Sequence, residues 1–141
     1  MESKGIERRT CKRFEVPGAT VSYTQNELST SEKRYEEEFC QILDISRGGI
    51  RFLGKKSPEI DSELYMKIFI PGEQLPLTFR GRVRWISVSE KKEKYFVGIQ
   101  FNPYGEKQGQ NYPGNLVKII ALEQKYLAHD ESPAEKLEMD D

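Results

Sequence analysis

Leu75-Pro76-Leu77-Thr78-Phe79-Arg80-Gly81-Arg82-Val83-Arg84-Trp85 places Leu75, Leu77, Phe79, Gly81, Val83 and Trp85 on one face and Thr78, Arg80, Arg82 and Arg84 on the other. Successive side chains of a strand point to opposite faces, so this period of two describes a strand with a dry side and a basic side. The alternation continues in both directions. Upstream, Leu64, Met66, Ile68 and Ile70 form a run that stops at the turn pair Pro71-Gly72. Downstream, Tyr95, Val97, Ile99 and Phe101 alternate with Phe96, Gly98 and Gln100. Nearer the N-terminus, Ala19, Val21 and Tyr23 begin one strand, and Phe39, Gln41, Leu43 and Ile45 share a face of a second. Ile50 and Phe52 follow Gly48-Gly49 as a short third, and the polar stretch from Gln25 to Lys33 reads as a long loop between the first two. An open sheet of six short antiparallel strands exposes two unpaired edges, and closure into a small barrel removes them.

From Pro113 the period changes. Leu116, Ile119, Ile120 and Leu127 fall on one helical stripe, interrupted by Glu123 and ending near Ala128. Asn111 reads as the N-cap, with Pro113 in the first turn where its missing N–H does no harm. The expected fold is mainly β: a six-stranded antiparallel barrel with a C-terminal α-helix.

At 141 residues the chain has room for a single core. No run approaches the roughly 18 apolar residues of a membrane helix. Met1-Glu2-Ser3-Lys4-Gly5 lacks the apolar stretch of a signal peptide, so a cytoplasmic protein without membrane insertion is expected. Cys11 and Cys40 are the only cysteines and His129 the only histidine, too few for a Cys/His metal site or a disulfide framework. Metal-dependent phosphodiesterase and Ser-His-Asp chemistry lack their residues as well, so neither enzymatic activity nor a cofactor is expected. Charge is unevenly spread. Residues 1–14 carry Lys4, Arg8, Arg9, Lys12 and Arg13 against Glu2 and Glu7, whereas 129–141 carries six acidic residues against Lys136 alone. The chain thus divides into a basic arm (1–14), a barrel with its helix (15–128) and an acidic tail (129–141) in which Pro133 and clustered carboxylates disfavour further helix. Both ends bury too little apolar surface to offset the entropy of ordering, so the arm is expected to order only with a ligand.

Two short constellations carry recognition chemistry. In Arg8-Arg9-Thr10-Cys11-Lys12-Arg13, Arg9 and Arg13 are four apart; a guanidinium is a planar fork of donors that matches a phosphate or the O6/N7 edge of guanine. Alone, the segment fits a solvated basic head as well as an anion clamp. In Asp44-Ile45-Ser46-Arg47-Gly48-Gly49, Asp44 can accept from the N1–H and amine of a guanine, Ser46 can donate, and a glycine permits close backbone approach. The same hexapeptide also fits a plain β-turn.

Taken together, Arg9-x-x-x-Arg13 followed by Asp44-x-Ser46-x-x-Gly49 resembles the paired signature of the PilZ domain family. Gly81-Arg82-Val83-Arg84-Trp85 and Val97-Gly98-Ile99-Gln100-Phe101 are similar to two of the family's strands. The resemblance implies a barrel that binds cyclic di-GMP, the arginine motif clamping guanine and phosphate and the aspartate motif binding a guanine edge. The expected ligand-binding set is Arg8, Arg9, Arg13, Asp44, Ser46, Arg47 and Gly49, with Arg8 and Arg47 as additional phosphate contacts. It further implies a non-enzymatic receptor that passes its state to a downstream protein, the alternative being an interaction module that binds no nucleotide. Trp85 is expected in the core because it shares a face with Val83. The Arg80, Arg82 and Arg84 row lacks the interleaved aromatics that stack single strands, so it reads as a solvated face and nucleic acid is not an expected partner.

Overall fold

A computed structural model describes residues 12–25, 35–90 and 93–140, with side chains through 127. Strands β1 (Thr20–Thr24), β2 (Glu37–Ser46), β3 (Gly49–Gly54), β4 (Glu63–Phe69), β5 (Leu77–Val88) and β6 (Tyr95–Phe101) precede helix α1 (Pro113–Asp140). The strands close into an antiparallel barrel in the order β1-β2-β3-β6-β5-β4. The barrel is filled from every strand: Val21, Tyr23, Ile45, Ile50, Phe52, Leu64, Met66, Ile68, Phe79, Val83 and Val97 are all buried. Phe79 stacks on Phe101 with ring centroids 4.1 Å apart, and Tyr23 meets Phe52 at 5.4 Å. Phe14, expected as the end of the arm, is instead buried in this core. The rest of the arm through Cys11, and most of the expected loop before β2, lie outside the described residues.

Two strands depart from strict alternation, each for the same reason. Opposite β1, three steps along β2 match two between Val21 and Tyr23; opposite β3, the two steps from Ile42 to Asp44 match the single step from Phe52 to Arg51. Each mismatch is a bulge that adds one residue to β2 and reverses which side chains face inward. Cys40, Ile42 and Ile45 are therefore in the core, while Phe39, at φ 57°, is turned out and largely exposed, and Gln41 and Leu43 leave the face expected for them. A third bulge, in β5 between Val83 and Trp85, turns Trp85 out of the core. Its indole covers Gly98, where a Cβ would collide with it.

Helix α1 begins at Pro113 as expected, but its buried line runs through Asn115, Ile119 and Glu123, with Leu122 and Tyr126 packed alongside. Asn111 does not cap it. The Asn111 side chain accepts from the Arg80 N–H at 2.8 Å and donates to the carbonyls of Arg80 (3.0 Å) and Asn102 (2.9 Å), splicing the helix approach onto β5. The helix also runs past Ala128 to Asp140. Pro133 does not end the helix, and the helix formers Ala134, Glu135, Lys136, Leu137, Glu138 and Met139 continue it.

Candidate ligand-binding site

The chain immediately after the arginine segment is stitched to the strand that carries the aspartate motif. The Phe14 N–H donates to the Ile45 carbonyl at 2.9 Å and the Ile45 N–H returns to the Phe14 carbonyl at 2.8 Å. This two-bond bridge, anchored by the buried Phe14 ring, delivers Arg13 to Asp44. Arg13 Nη1 meets Asp44 Oδ1 at 2.7 Å.

The bulge at Leu43 completes the arrangement from the other side. With Ile45 and Ile50 paired inward, Asp44 and its cross-strand partner Arg51 point to the outer face. Arg51 Nε donates to Asp44 Oδ2 at 2.8 Å and its Nη2 donates to the same oxygen. Hydrogen bonding to Asp44, outweighing the cost of desolvation, raises the Arg51 pKa above its ordinary value. The Asp44 side chain is 7% exposed, whereas those of Arg13 and Arg51 are 44% and 41% exposed. One covered carboxylate thus lies beneath two half-exposed guanidiniums, whose solvent-facing N–H donors suit an anion, with the exposed Glu15 carboxylate beside Arg51. A cavity of about 470 Å³ opens beside it, lined in part by Glu15, Val16, Gln41, Leu43, Arg51 and Phe96.

Ser46 and Gly49 have local tasks. Ser46 Oγ accepts from the Gly48 N–H at 3.2 Å, which is the turn interaction. Gly49 is required by packing: a Cβ there would collide with the Ile99 carbonyl oxygen of β6. Arg47 turns away from Asp44 toward α1, where its Nε donates to Glu123 Oε1 at 2.8 Å. Arg8 and Arg9 lie outside the described residues. Of the expected set, the structure therefore brings Arg13 and Asp44 into contact, with Ser46 and Gly49 shaping the adjoining turn.

Arg51 escaped the sequence reading, and Glu123 entered it only as an interruption of the helical stripe, without its cation. Arg51 could have been found as the polar residue between the inward Ile50 and Phe52, placed across a Gly-Gly turn from Asp44. The place of Glu123 on an apolar stripe was the signal that it needs a cation. Across the barrel surface Arg51 is in register with Gly98, and Gly98 with Trp85. Asp44, Arg51 and Trp85 therefore belong to one row that crosses four strands. Among the described residues no cluster of His, Cys, Asp and Glu could hold a metal ion, and no helix is long and apolar enough to cross a membrane.

A family profile for the PilZ domain matches residues 7–116. Among solved structures, the Bacillus subtilis inhibitor of motility, MotI/DgrA, superposes with a TM-score of 0.58 at 18% sequence identity, over 82% of this chain and 49% of that one. The likeness is one of fold, and the chain spans about half the length of that protein. No curated protein matches in sequence.

Proposed function

The chain belongs to the PilZ domain family, and from that premise we propose that it is a non-enzymatic receptor for cyclic di-GMP, acting in the cytoplasm on a downstream protein. The observation that carries the reading is the Arg13–Asp44 contact, which joins two motifs 31 residues apart at one surface. The chemistry is an exchange of partners. A ligand phosphate takes Arg13, and the Asp44 oxygen it leaves accepts from the N1–H and amine of a guanine, so no charge is left bare. Arg8 and Arg9 contribute further forks from the arm, and Arg51 holds the other Asp44 oxygen in place throughout.

A second reading, an interaction module that binds no nucleotide, is favoured by the same geometry: Arg13, Asp44 and Arg51 satisfy one another, and Ser46 and Gly49 have structural tasks. Calorimetric titration with cyclic di-GMP, with GTP and a cyclic mononucleotide as controls, separates the two. The receptor reading expects heat with cyclic di-GMP alone. It also expects a ten- to a hundredfold loss of affinity in Arg13→Ala, the equivalent of about 1–3 kcal/mol for one bidentate pair, in a variant that still melts cooperatively. Absence of heat in a folded sample would favour the second reading.

A further inference from the structure

Arg47 stands in the turn between β2 and β3, yet its guanidinium serves α1. Besides the Nε contact, Nη2 approaches Glu123 Oε2 at 3.5 Å. The Tyr104 hydroxyl donates to the Arg47 carbonyl at 2.7 Å and so fixes the backbone from which the side chain reaches out. Glu123 is 8% exposed and lies one turn beyond the fully buried Ile119. Its side chain is 11% exposed against 41% for Arg47. The two partners are thus unequal: the arginine is accessible to solvent and to a ligand, and the carboxylate is not. A carboxylate in that setting is tolerable only while its cation stays.

We infer that an anion bound at the motif turn and the docking of α1 compete for Arg47, so that ligand binding loosens the helix from Glu123 onward. The inference rests on the cyclic di-GMP reading and adds its output. A ligand phosphate at Arg47 places a second negative charge beside the covered Glu123 carboxylate, and like charges in a poorly solvated place disfavour each other. If Arg47 turns to the phosphate, Glu123 loses its cation and regains solvation only by moving outward, carrying its turn of helix with it. The start of α1 has a separate anchor, the Asn115 side-chain amide donating to the Thr78 carbonyl at 2.8 Å. The motion is therefore a peeling of the later turns and leaves the first turn in place.

The test uses the whole chain, with calorimetry and hydrogen exchange on the same samples. Coupling is reciprocal, so removing the competing charge with Glu123→Gln should raise cyclic di-GMP affinity by roughly five- to tenfold. In an Arg47→Ala background the same substitution should leave affinity unchanged. In the unmodified protein, amides of residues 123–127 should lose protection at saturating cyclic di-GMP while those of β6 do not. Heat of binding with unchanged exchange along α1, or equal affinity in Glu123→Gln, would overturn the coupling and leave the receptor reading intact. No heat at all would overturn both.

Discussion

Asp44 is the residue on which the surface depends, and its two partners back each other up. In Arg13→Ala the Arg51 fork still covers the carboxylate, so folding stability should fall little even as ligand affinity drops. The Arg13→Ala/Arg51→Ala pair removes both cations from a side chain only 7% exposed, and urea unfolding should then show a loss on the order of 3 kcal/mol, more than the sum of the single effects. Adding Asp44→Ala to the pair should restore most of it. At Gly49 the expectation is different in kind. A methyl group there meets the backbone of β6, which cannot rotate aside, so Gly49→Ala should lower stability by about 3 kcal/mol or abolish cooperative melting. Asp44 and Arg13 stood out in the sequence only through the resemblance of their motifs to the family's paired signature, since each segment alone fits a solvated head or a plain turn; that their side chains meet comes from the fold. Arg51 did not stand out, since its role comes from a cross-strand pairing that the bulge at Leu43 creates.

At the scale of elements, the strands were legible and their phase was not. Alternation depends only on neighbouring residues, so β4 and the first half of β5 face as the sequence says. A bulge adds a residue with no compositional mark, and each one in β2 and β5 inverted what followed it, moving Phe39 and Trp85 outward and Cys40 inward. The helix start offers a corresponding test. Asn111 is 3% exposed and its side chain makes three hydrogen bonds, one of them covering the Arg80 N–H. Asn111→Ala should destabilise the barrel by about 1–3 kcal/mol in denaturant unfolding, as expected for a buried donor left unsatisfied. A cap lost from an exposed helix end would cost toward the low end of that range or below.

For the molecule as a whole, the closed barrel imposes a pH dependence. Burial first, then the hydrogen bond to Glu37, pushes the Cys40 thiol pKa well up, and burial does the same to the Tyr23 hydroxyl. Both groups stay neutral when folded at a pH where the unfolded chain would ionise them. Their contribution to stability is therefore complete below the ordinary thiol value of 9.0 and is lost as pH rises above it. Melting temperature should be flat through neutrality and decline above about pH 9, less steeply in Cys40→Ala. In a Cys11→Ser background, Cys40 should resist iodoacetamide at pH 8 until urea opens the barrel, because the thiolate is the nucleophile and this thiol retains its proton. Closure also sets a tempo. β1 is held on one side by β4, with Thr20 opposite Phe69, and β3 is completed by β6, with Gly49 opposite Gln100. Neither seam forms between neighbours in the chain, so the entropy of closing both loops is spent before either pairing repays it. Refolding should accordingly run in milliseconds to seconds, the range of sheet proteins built from distant pairings. During synthesis, Asp44 and Arg51 emerge well before β6, the strand that closes over their turn.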